Sequence, residues 1–153
     1  MFEPLEGGCL CGAVRYRISL PPTGTGYCHC RMCQRSSGGP VQASAEVPVA
    51  GFALIKGELK AYRSSPGAVR HFCPQCGSQI SFRPAVDPTF VSVNTPTLDH
   101  PEALAPGKHI WRESRIAWFE TTDDLPRHER EAADKPLART AGEGGARPEG
   151  AGG

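Results

Sequence analysis

The chain has 153 residues, enough for one domain with a buried core, and its 17 basic and 16 acidic residues leave a formal net charge of +1. No basic stripe of the kind nucleic-acid binders carry is present, and every apolar stretch is far too short to span a bilayer, so neither nucleic acid nor membrane is an expected partner. The opening MFEPLEGGC lacks the basic start and apolar run of a secretory signal, which predicts a cytoplasmic protein whose thiols stay reduced.

In chain order the first motif is GGCLCG over 7–12, with Cys9 and Cys11 two positions apart. In an extended segment alternate side chains project to one side, so both sulfurs can reach one point. A disulfide between two such close neighbours would be strained. AVRYRISL over 13–20 then alternates, with Val14, Tyr16, Ile18 and Leu20 on one face and Arg15, Arg17 and Ser19 on the other. That is the period of a half-buried strand. In YCHCRMCQRSSGGP, over 27–40, Cys28 arrives on an extended segment, and a short helix starting after Cys30 puts Cys30 and Cys33 on one face. His29 alternates away from its two cysteine neighbours.

FALIK (52–56), AVRHF (68–72), QISFR (79–83), FVSVN (90–94) and RIAWF (115–119) read as further strands. Fifteen prolines and many glycines between them argue against long helices, so the fold class is mainly β. CPQCG over 73–77 has the shape of a zinc knuckle: the turn aims Cys73 and Cys76 at one point, and Gly77 is free to take positive φ. The end of the chain, 130–153, holds one leucine and no aromatic residue among Gly, Ala, Pro and mixed charge. Such a segment does not bury enough apolar surface to offset its ordering entropy. The expected organisation is a folded unit over 3–128 and a disordered tail over 129–153.

Seven cysteines in a reducing compartment are ligands or catalysts before they are disulfides. Cys9, Cys11, Cys73 and Cys76 complete a four-thiolate structural zinc site, and Cys28, Cys30 and Cys33 hold a second zinc with one position open, the pattern of a catalytic centre. His29 and His71 are the alternatives that would close that second site, and neither is expected as a ligand. Arg31, Arg35, Arg70 and His71 flank the motifs and offer charge to an acidic substrate, although the default for each arginine is an ordinary surface position. Ser36 and Ser37 read as turn residues, and Trp111, Trp118 and Phe119 as core or pocket rim.

Gly-Gly-Cys-x-Cys-Gly, then Cys-His-Cys-x-x-Cys, then Phe-Cys-x-x-Cys-Gly together resemble the glutathione-dependent formaldehyde-activating enzyme family, whose domain is shared with centromere protein V. SSGGP, GELKAYRSSPGAVRHFCPQCGSQI (57–80) and SRIAWFETTDDLP (114–126) extend the resemblance to about residues 5–128. The resemblance implies a β-tent of small antiparallel sheets around a structural zinc. It matches Cys9, Cys11, Cys73 and Cys76 to the structural ligands and Cys28, Cys30 and Cys33 to the catalytic ones. It also implies a carbon–sulfur lyase that forms and cleaves S-(hydroxymethyl)glutathione, with a small thiol such as glutathione as partner. A non-catalytic, zinc-stabilised binding module is the alternative.

Overall fold

The computed structural model describes residues 1–131, so the part of the expected tail from 132 onward lies outside the described residues. Two sheets make up the described fold. Strands β1 (Leu5–Gly8), β2 (Arg15–Ile18) and β5 (Phe52–Lys56) form a small antiparallel sheet in the order β1-β2-β5. The larger sheet adds β3 (Gly24–Cys28), β4 (Gln42–Pro48), β6 (Lys60–Ser65), β7 (Ala68–Phe72), β8 (Gln79–Pro84), β9 (Phe90–Asn94) and β10 (His109–Ile110). Its order is β10-β3-β4-β9-β8-β7-β6, antiparallel except where β10 runs parallel to β3. One short helix, α1 (Arg31–Ser37), follows β3.

Alternation decides what each strand buries. Tyr16 and Ile18 of the small sheet meet Ala45 and Val47 of β4, Ile80 of β8, and Val91 and Val93 of β9, with Leu98 and Leu104 completing the cluster. Each of these side chains is buried, and the cluster ties the two sheets into one core. Beside it the sheets leave a cleft of about 450 Å³, lined by the apolar Phe52, Leu54, Leu59 and Val91 and by His71, Ser81 and Arg83.

Two expectations from the sequence need correction. The segment 115–119 is not a strand: Arg112–Ser114 is a 3-10 turn, Phe119 N–H donates to the Ile116 carbonyl at 3.0 Å, and Trp118 is 78% exposed. Apolar and aromatic content favours a strand only where a neighbouring strand stands ready to pair, and among the described residues none pairs with this segment. Likewise Cys9 and Cys11 are not in extended chain. β1 ends at Gly8, and a turn closed by Gly12 N–H to the Cys9 carbonyl at 3.2 Å carries both cysteines.

Hydrogen bonds continue past residue 128. Trp111 N–H donates to the Arg130 carbonyl and Glu113 N–H to that of Glu129, at 3.0 and 3.2 Å.

Candidate metal centres

The first cysteine group is built by two turns. Gly77 takes φ 76°, which lets its N–H fold back onto the Cys73 carbonyl at 2.9 Å and aims Cys73 and Cys76 to the same side. The turn at residues 9–12 brings Cys9 and Cys11 over this knuckle: the sulfurs of Cys9 and Cys11 lie 3.6 Å apart, and those of Cys11 and Cys73 3.8 Å. All four sulfurs lie within 4.8 Å of one another. The surrounding donors suit thiolates. Val14 N–H donates to Cys9 Sγ at 3.2 Å, and Ser78 Oγ accepts from Leu10 N–H at 3.0 Å while lying 3.2 Å from Cys76 Sγ. The Ser78 hydroxyl leads the interactions that push the Cys76 thiol down to about 5.

The second group gathers at the β3–α1 junction. Cys28 is the last residue of β3, and Cys30 is the N-cap of α1, its sulfur accepting the Cys33 N–H at 3.3 Å. The sulfurs of Cys28, Cys30 and Cys33 again lie within 4.8 Å of one another, and no histidine, carboxylate or further cysteine among the described residues joins them. Gly38, with φ 73°, ends the helix. Ser36 and Ser37 both donate their hydroxyls to the Cys33 carbonyl, at 3.2 and 2.8 Å, so they bond back within the last turn of α1 and do not face the sulfurs as donors.

Arg70 completes this site. It is 5% exposed on β7, and one of its guanidinium nitrogens lies 3.8 Å from Cys33 Sγ. Its guanidinium sits 5.0 Å from the centre of the Phe82 ring, and its Nε is buried without a hydrogen-bond partner among the described residues. The default of a surface arginine therefore fails here. Among the described residues no carboxylate pairs with it. A buried, unpaired cation is costly unless an anion lies beside it, and the sulfurs are that anion. The Cys33 thiol is accordingly held well below its ordinary value, by hydrogen bonds from Cys28 and Cys30 and then by the Arg70 charge. All-sulfur donor sets with backbone N–H groups aimed at the sulfurs fit zinc.

Comparison with known proteins decides the family. Residues 4–114 match the family described as glutathione-dependent formaldehyde-activating enzyme. A Halomonas elongata protein described as "Putative glutathione-dependent formaldehyde-activating enzyme" is 32% identical over 134 residues, spanning 76% of this chain and 80% of that protein. This chain belongs to the glutathione-dependent formaldehyde-activating enzyme family. A Rhodobacter sphaeroides protein of known crystal structure shares the fold, with a TM-score of 0.54 at 24% identity, over 62% of this chain and 88% of that one.

In this family member two histidines serve the site without joining either sulfur group. His29 is 1% exposed and turns away from Cys28 and Cys30, as strand alternation requires. Its Nε2 lies 2.8 Å from His109 Nδ1, and His109 Nε2 lies 3.1 Å from Asp123 Oδ1. Asp123 is held well below the usual carboxylate range, first by Thr121 and then by Arg127, so it accepts the His109 Nε2–H. That leaves His109 Nδ1 bare to accept from His29. The chain Asp123–His109–His29 thus runs from the loop after residue 120 to the residue between two cysteines.

His71 points to the other side of the sheet from Arg70, into the cleft between the sheets, with Nδ1 3.4 Å from Ser81 Oγ. Of the remaining candidates, Arg31 and Arg35 are exposed, and Arg31 bonds Gln34 Oε1 at 2.5 Å. Trp111 is half-buried with φ 58° and donates its indole N–H to Glu131 at 2.8 Å. The sequence reading missed His109, Asp123 and Gln34, whose amide clamps α1 by donating to the His29 carbonyl at 2.7 Å and the Ser114 carbonyl at 3.2 Å. Only the placement of His29 between two ligand-type cysteines hinted at a partner on the opposite side.

Proposed function

We propose that this protein is a zinc-dependent carbon–sulfur lyase acting on thiol adducts of small carbonyl compounds, nominally S-(hydroxymethyl)glutathione, in the reducing cytoplasm. The observation that carries the reading is the group Cys28, Cys30 and Cys33, a three-sulfur set beside a buried arginine with no fourth donor among the described residues. Cys9, Cys11, Cys73 and Cys76 would hold a second, structural zinc, closing a turn near residue 10 onto the knuckle at 73–77. When bound by three cysteines, zinc lowers the pKa of a thiol that takes its fourth position.

The chain's own contribution is placement and charge. β3 and α1 fix the three sulfurs; Gln34 and the His29–His109–Asp123 chain pin the junction between those elements; Arg70 supplies positive charge where thiolate charge collects. In the forward reaction the substrate sulfur bonds to the carbonyl carbon, the carbonyl π-bond becomes a hydroxyl, and the thiol proton ends on that oxygen. The reverse breaks the same carbon–sulfur bond, and no oxidant or reductant is required.

Exchange NMR with labelled formaldehyde and glutathione tests this, comparing the wild type with Cys30→Ser. Exchange faster than the spontaneous rate in the wild type alone supports the reading. Equal, spontaneous exchange in both rejects the substrate pair and favours a zinc-stabilised binding module.

A further inference from the structure

The structure assigns Arg70 a role in choosing what joins the three cysteines: we infer that it is the counter-charge that admits a substrate thiolate. This rests on the reading above. Three thiolates on one divalent cation already leave the centre one negative charge in excess, and a substrate thiolate adds another. Unaided, such a centre favours a neutral occupant. Arg70 changes the balance, because it brings a guanidinium cation to 3.8 Å from Cys33 Sγ.

Three observations separate this role from a structural one. The guanidinium has no carboxylate partner among the described residues, so its charge is left to the sulfur group. Its Nε is buried with no hydrogen-bond partner among the described residues, whereas a residue selected only to knit strands together would satisfy it. It is held in place by stacking on Phe82, its cross-strand neighbour in β8, which orients a planar cation without consuming its charge. At 5% exposure the charge is little screened by water. The specificity that follows is for the sulfur of the substrate, since the observed contact is with the sulfur cluster.

The test replaces zinc by cobalt(II) in the full-length protein and titrates it with two probes, 2-mercaptoethanol and glutathione, following the sulfur-to-cobalt absorption. Arg70→Gln is expected to weaken both thiols by the same factor, about tenfold or more, while Arg70→Lys restores most of the loss. Cobalt bound per chain, checked in each variant, separates thiol affinity from metal affinity. Loss confined to glutathione overturns the inference, because Arg70 would then read the tripeptide's carboxylates. Unchanged affinity for both thiols in Arg70→Gln also overturns it. A wild-type spectrum that ignores both thiols overturns the underlying lyase reading, and the inference with it.

Discussion

Replacing His109 by alanine removes the middle of the Asp123–His109–His29 chain. His29 Nε2 then loses its partner in a site that is 1% exposed. Leaving such a group unsatisfied costs about 1–3 kcal/mol. The missing ring also leaves a cavity and forfeits its stacking on Tyr27, whose centroid lies 5.0 Å away, for about 1–2 kcal/mol more. The expected loss is therefore about 2–5 kcal/mol. His29→Ala should cost a similar amount, because it strands His109 Nδ1 instead. The double variant strands neither nitrogen, so it should be less damaged than the sum of the two by both stranding costs together, about 2–6 kcal/mol. Urea unfolding at a fixed, saturating zinc concentration measures all four corners of the cycle. Additivity within about 0.5 kcal/mol would refute the hydrogen-bonded pair.

Tyr16 is fully buried and its hydroxyl lies 2.7 Å from Thr97 Oγ1; burial pushes the phenol up to about 12. Because the unfolded chain loses that proton near the ordinary value of about 10, stability should be intact below it and fall by about 2–3 kcal/mol as pH rises to about 12. Unfolding of Tyr16→Phe across this range should show a flatter alkaline limb, and an unchanged limb would contradict the assignment. Gly26→Val should weaken the β10–β3 pairing, since a Cβ at Gly26 would meet the Lys108 carbonyl at 2.9 Å. Faster hydrogen exchange of the Tyr27 amide, which donates to that carbonyl at 2.8 Å, is the readout.

The parts of this fold that were legible are those specified by local spacing. The alternation of Val14, Tyr16 and Ile18 is a property of neighbours, and so are the turn at Gly77 and the helix after Cys30. Most of β3, read only as an extended approach to Cys28, and all of β10 were hidden for the opposite reason. GTGYC has no apolar alternation, and at Gly26 the Lys108 backbone, just before β10, approaches too closely for a side chain. β10 is two residues long and exists only through parallel pairing with β3.

The same division runs through the site. Cysteine pairs announce themselves by spacing, and the structure brings both groups together. Arg70 and the histidine chain depend on contacts between residues 37 and 80 positions apart, which no local pattern encodes. The burial of Arg70 had one local sign, its position on a strand leading directly into the knuckle at Cys73. That sign does not distinguish a buried arginine from an exposed one.

Zinc content per chain, measured on purified wild type, Cys30→Ser and Cys73→Ser, tests the division of labour between the two cysteine groups most directly. Close to two zinc ions are expected in the wild type, close to one in a Cys30→Ser protein that stays folded, and loss of soluble protein in Cys73→Ser. One zinc in the wild type, or unfolding by both substitutions, would contradict a structural site paired with an open catalytic one.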